Sequence, residues 1–157
     1  MKIALCVFRL LNSFSRCAAC SLSLILALLT GTPAAAQDLD WAKSAGGTSN
    51  DFGNSIAVDG SGNSYVSGYF FETATFGAGE SNETTLTGAG NNDIFVAKYD
   101  NSGALLWVKS AGGPNGDQGH GIAVDGSGNS YVTGVFGGTA TFGAGESNET
   151  KIGRAHV

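Results

Sequence analysis

Residues 41–84 and 107–150 align without a gap at an offset of 66, and 33 of the 44 aligned pairs are identical. WAKSAGG returns as WVKSAGG. IAVDGSGNSYVSG (56–68) returns as IAVDGSGNSYVTG (122–134), and TATFGAGESNET (73–84) returns unchanged at 139–150. This duplication constrains the fold more than any composition does. A repeat of this length is a supersecondary unit that buries its apolar faces only against its neighbours. Residues recurring at the same offset are read first as scaffold, because an active site ordinarily needs one asymmetric cluster.

The unit reads as strands. Residues 55–59 and 64–70 are short runs rich in β-branched and aromatic side chains, separated by Gly60-Ser61-Gly62-Asn63, where Gly and Asn supply the positive φ of a hairpin turn. Residues 93–99 (DIFVAKY) and 104–110 (ALLWVKS) form a second hairpin across Asp100-Asn101-Ser102-Gly103. Between them, 73–76 and 84–87 are weaker strand candidates around Gly77-Ala78-Gly79. No sustained helical period runs through residues 37–150. The expected fold class is all-β: β-propeller blades of antiparallel hairpins in an incomplete ring. Residues 37–150 supply the first blade and part of the second, and rings need about four to eight blades. The opening strand, matching residues 105–110, is expected to complete a last blade and latch the ring.

The ends read differently. Residues 1–36 carry a basic start (Lys2, Arg9, Arg16), an apolar run (SLSLILALL) and small residues up to Ala36, the pattern of a signal peptide cleaved before Gln37. An uncleaved anchor is the rival, but Gly31, Thr32 and Pro33 interrupt a run that must reach about 20 apolar residues to span a bilayer. With cleavage, no transmembrane segment is expected in what remains. Cys6, Cys17 and Cys20 all fall in this leader, so residues 37–150 hold no cysteine. That combination suits an exported protein with a core large enough to need no disulfides. At the other end the repeat fails at Lys151, and 152–157 (IGRAHV) back-translates into a common sequencing adaptor. Residues 151–157 are therefore expected to be adaptor-derived and the chain to be a fragment.

Residues 37–150 hold 13 Asp and Glu against three Lys and no Arg. With no basic cluster to meet phosphates, nucleic acid is not an expected partner.

The string D-x-G-x-x-I-A-V-D-x-x-G-N-x-Y-V-x-G (51–68, and again at 117–134), followed by D-x-F-V-A-K-x-D-x-x-G-x-L-x-W (93–107), resembles the bacterial SBBP-type β-propeller repeat. The resemblance covers nearly all of 37–150 and implies an extracellular or envelope protein with no common catalytic residue. The departure is the long insert at 71–92, which puts the strand count per blade in question.

Few constellations point to chemistry. Asp59, Ser61 and Asn63, repeated as Asp125, Ser127 and Asn129, place oxygens at positions 1, 3 and 5 of a calcium loop. The glutamate such a loop needs at position 12 is Phe70 or Phe136 instead. A turn in which Asp caps its own backbone competes with the calcium reading. Asp51 and Asp117 are read as loop-closing carboxylates. His120, whose repeat counterpart is Asn54, is read as a loop residue. Gly46-Gly47 and Gly112-Gly113 read as turns, with no helix and no Lys placed to make a phosphate loop. Trp41, Trp107, Phe76, Phe95, Phe142, Tyr65 and Tyr131 are read as blade packing, with a carbohydrate platform as the alternative. Two N-x-T sequons, at Asn82 and Asn148, are read as accidental.

The sequence reading is thus an exported structural or binding module, secreted or at the cell envelope, that engages a glycan or protein. No catalytic residue, no cofactor and no metal is expected, with calcium the one candidate ion. Two alternatives stay open: a polysaccharide hydrolase or lyase whose site lies elsewhere, and a calcium-dependent adhesion protein.

Overall fold

The computed structural model describes residues 5–11 and 38–153. Every described element is a strand: β1 (Leu5–Leu11), β2 (Asp38–Ala45), β3 (Phe52–Val58), β4 (Ser64–Phe76), β5 (Thr84–Tyr99), β6 (Leu105–Gly112), β7 (Asp117–Val124), β8 (Ser130–Phe136), β9 (Ala140–Phe142) and β10 (Thr150–Ile152). Strands β3, β4, β5 and β6 form a four-stranded antiparallel meander, which is one complete blade. β7 and β8 form the first hairpin of the second blade, and β7 packs against β3, β4 and β5. β2 pairs with β1 in a sheet of its own.

In the insert at 71–92 the expected strands 73–76 and 84–87 pair with each other, but not as a separate hairpin. Its strands prolong β4 and β5 into one long hairpin, with a bulge between Phe71 and Thr73. Glu72 sits in that bulge at φ 56°, and its repeat counterpart Gly138 adopts φ 70°. A bulge needs one residue off the ladder, and it bends the hairpin without ending it. Thus 64–76 and 84–99 are single strands, and the blade has four strands despite its length.

The prolonged hairpin couples successive units. Gly46 and Thr75 exchange both backbone hydrogen bonds at 3.0 Å, tying β2 to the tip of the β4–β5 hairpin. The same bridge returns 66 residues on, where Gly112 at the end of β6 pairs with Thr141 of β9. Lys43–Glu80 and Lys109–Glu146 ion pairs recur at the same step. Gly112 therefore ends a strand, where a turn was expected.

Alternation along β4 sorts the blade into two faces. Val66 and Phe70, with Phe95, Ala97 and Tyr99 on β5, point to one side and pack with Leu105, Val108, Trp41 and Ala45. At about 1.5–3 kcal/mol for each large apolar side chain fully buried, this layer is the main source of blade stability. Tyr65 and Ile94 point to the other side, toward the second hairpin. The Tyr65 hydroxyl donates to the Gly128 carbonyl at 3.2 Å, and Gly119 lies against Ile94. The complete blade therefore buries one face on β2 and the other on the second hairpin.

Candidate functional site

Six aspartates each accept two backbone N–H groups. Asp51 takes Gly47 and Phe71, Asp117 takes Gly113 and Gly137, and Asp93 takes Ala89 and Gly90. Asp59 takes Ser61 and Asn63, Asp125 takes Ser127 and Asn129, and Asp100 takes Ser102 and Ala104. Short polar side chains close loops this way wherever the chain turns out of a ladder. Asp51 and Asp117 are the loop-closing groups that the repeat suggested, and both are buried.

The Asp59–Asn63 segment is a hairpin turn, with Asp59 N donating to Asn63 O and Gly62 N donating to Asp59 O, both at 3.0 Å. Gly62 holds φ 82°, a conformation other residues adopt only at a cost. The Asp59 carboxylate also accepts from the Asn63 amide at 2.7 Å and the Tyr65 hydroxyl at 3.3 Å. The Asn63 side-chain hydrogen bond, with the backbone donors, holds the Asp59 carboxyl below its ordinary value, and Asn129 does the same for Asp125. In both copies the Asn side chain presents its N–H₂ to the Asp, and Ser61 and Ser127 meet it through their backbone N–H. Among the described residues, no cluster of three His, Cys, Asp or Glu side chains is placed to hold a metal ion.

Two carboxylates converge at the seam between the blades. A Cβ added to Gly112 would lie 1.9 Å from Asp93 Oδ1 and 2.9 Å from Asp117 Oδ2, so only glycine fits between them. Burial pushes the Asp93 carboxyl up. Its two backbone donors oppose that shift and the neighbouring Asp117 charge adds to it. Asn92 completes the seam by donating from its amide to the Asp117 carbonyl at 2.8 Å. Sequence reading passed over Asp93 and Asn92 as site residues; the available signal was the Asp that opens DIFVAK at the same seam where Asp117 opens the next unit.

His120 lies in strand β7, where the sequence suggested a loop. Its flanking Gly119 and Gly121 give it a loop-like look, but both take part in the β7–β8 ladder. Its ring is exposed, with Nε2 3.4 Å from Gln118 Oε1. The matching position in the first unit is Asn54, whose amide crosses to the Gly119 carbonyl at 2.7 Å. That row is where adjacent first strands meet. The amide of the Asn82 sequon donates to the Leu105 carbonyl at 3.1 Å, so this nitrogen holds the hairpin tip.

The aromatic side chains divide by copy. Trp41, Tyr65, Phe76 and Phe95 are buried, and Trp107 meets Tyr65 edge-on at 6.2 Å between centroids. Tyr131, the counterpart of Tyr65, is exposed.

A meander of four antiparallel strands, stacked face to face with the next hairpin and repeated in sequence, defines a β-propeller-type repeat protein. The family model described as Beta-propeller repeat (SBBP) matches residues 40–69 and 106–135, so the chain carries two SBBP β-propeller repeats. No curated protein matches the chain.

Proposed function

We propose that this β-propeller repeat protein is an exported structural or binding module, acting at the cell envelope or outside the cell by presenting surface to a glycan or protein, without catalysis of its own. The observation that carries this reading is the use of its acidic groups. Six aspartates, recurring with the repeat or sitting at turns, are each occupied by two backbone donors. General acid–base catalysis needs carboxylates free to exchange protons with a bound substrate. The acidic surface and the absence of cysteine from residues 37–150 suit an exported protein.

Export is tested by expressing the full chain in a bacterial host, fractionating the cells and sequencing the N-terminus. The expected product begins at Gln37 and lies outside the cytoplasm. A cytoplasmic product retaining Met1 would contradict it. Binding without turnover is tested on a panel of polysaccharides. Retention on a glycan or on whole cells with no release of reducing ends is expected. Turnover abolished by a single substitution would contradict the reading.

A further inference from the structure

The insert of the first unit and that of the second come together across the end of β6. The groove they share has a volume of about 510 Å³. Thr87 of the first insert borders it on one side and Thr139 and Thr141 of the second on the other, with residues 110–114 between them. Thr87, Asp93, Thr139 and Thr141 all lie outside the residues that the repeat family's model matches, so the groove is a feature of this chain's inserts.

Asp93 is the buried polar group of this groove, only 2% exposed. Both of its backbone donors, Ala89 and Gly90, fall on Oδ2. Oδ1 receives no hydrogen bond from any described residue. Gly112 shows where that oxygen points. A Cβ at Gly112 would run into Oδ1, so the oxygen lies over the face that the missing side chain leaves bare. Thr141 is the direct partner of Gly112 on β9, and directly opposed residues share a face. The free oxygen and the Thr141 side chain are therefore on one side of the sheet. A buried carboxylate oxygen without a donor is costly, and folded proteins ordinarily supply it a partner. Burial and the Asp117 charge already hold this carboxyl above its ordinary value.

Hydroxyls surround that oxygen. Thr87, Ser110 and Thr139 border the same groove, and none of them hydrogen-bonds to a described residue. Elsewhere on the hairpins the threonines are engaged. Thr75 and Thr85 share a hydrogen bond at 2.9 Å, and Thr84 and Thr150 donate to the Asn82 and Asn148 carbonyls. An acceptor ringed by free hydroxyls suits a ligand that carries several hydroxyls on a small carbon frame. A hard cation needs more oxygen ligands of higher charge than one carboxylate supplies. A phosphate would meet the Asp93 charge.

We propose that the groove between the inserts binds a short neutral saccharide, one hydroxyl donating to Asp93 Oδ1 and its neighbours pairing with Thr87, Ser110 and Thr139. Its volume falls in the range of small-molecule sites, and a few convergent polar groups fix the orientation. The inference rests on the glycan partner proposed above and gives it a place; it does not depend on export.

The test titrates the nitrogen-15-labelled full chain with a panel of neutral disaccharides of glucose, galactose and mannose, read by amide NMR shifts. Saturable shifts confined to residues 87–93, 110–114 and 139–144 are expected for at least one sugar, with a Kd of about 1 mM or tighter. In Asp93→Asn the amide oxygen takes over the two backbone donors, which turns the nitrogen to the groove and makes the free acceptor a donor. Binding weakens about tenfold or more. Thr139→Val, which keeps the shape and removes the hydroxyl, weakens it about threefold, whereas Thr73→Val, the matching change in the first unit, leaves it intact. Ser110→Ala and Thr139→Val together weaken it about fivefold, and this pair carries the test if Asp93→Asn fails to fold. Lys151 also borders the groove and is given no part in it, so Lys151→Ala and a chelator both leave binding in place. No saturable shift from any sugar, undiminished binding by folded Asp93→Asn, or binding lost with Lys151→Ala or with the chelator would overturn the proposal. Shifts that map to another surface would overturn it as well, while leaving a glycan partner standing.

Discussion

The two repeat units are nearly the same sequence in two different surroundings. Ser64–Phe70 sits at the centre of a complete blade; its counterpart in the second unit, β8, sits at an edge. Phe70 belongs to the central core, and Phe136 looks into an open cleft. The lesson is that burial here is a property of the neighbour and not of the residue, as expected for a quasi-one-dimensional repeat whose stability sums unit and interface terms. The polar scaffold behaves in the opposite way. Asp117 closes its loop in the second unit as Asp51 does in the first, with matching donors. The loop-closing hydrogen bonds of these aspartates are made in both copies, while apolar packing is complete in one.

Breaking the comparison at its widest point gives the largest effect. Phe70→Ala is expected to cost about 3–5 kcal/mol, the range for a buried aromatic, whereas Phe136→Ala stays below about 1 kcal/mol. Chemical denaturation of the two variants measures both. Equal losses would mean that β8 is covered as β4 is.

Asp117→Ala comes next. It leaves the Gly113 and Gly137 N–H groups without their acceptor in a buried loop. The expected loss is about 2–3 kcal/mol. Asp51→Ala should match it, since this feature does not distinguish the copies.

The bulge offers a smaller, sign-reversing test. Glu72 and Gly138 hold the same left-handed conformation, which glycine adopts freely and glutamate does not. Glu72→Gly is expected to raise the melting temperature, by up to about 1 kcal/mol of stability. Part of that gain is offset by loss of the Ser49–Glu72 hydrogen bond. Gly138→Ala is expected to lower it by a similar amount.

The smallest effect is one of pH. Burial raises the Asp93 carboxyl above its ordinary value. The folded state therefore binds this proton more tightly than the unfolded chain. Its contribution is fully present below the unfolded value near 3.8 and is lost as pH rises through the folded one. Asp59, Asp100 and Asp125 run the other way, contributing above their unfolded values and losing that contribution as pH falls. Asp93→Asn should gain on the parent chain as pH rises through the weakly acidic range. A stability difference flat with pH would contradict the seam assignment.

Much of the fold was legible because glycine and asparagine mark turns by what their backbones permit. The Gly60–Asn63 and Asn101–Gly103 turns, the paired strands around them and the loop-closing Asp51 and Asp117 all follow from local chemistry. In the insert the paired strands 73–76 and 84–87 were legible, but their continuity with β4 and β5 was not. Its bend is a bulge at Glu72, and nothing about a glutamate signals a left-handed residue. His120 was misplaced because glycines on both sides imitate a loop. The exposure of β8 could not be read from the unit's own sequence, because identical residues are buried in one copy and exposed in the other. The Asp93–Asp117 seam joins strands from two units, so its signal lay in the repeat spacing and not in any local motif.

Amide hydrogen exchange on β4 and β8 tests the central claim most directly. Ser67 against Thr133 and Tyr69 against Val135 distinguish the two peptides by mass. Ser64–Phe70 should exchange only through global opening, and Ser130–Phe136 much faster. Equal protection of the two strands in the chain alone would contradict the account.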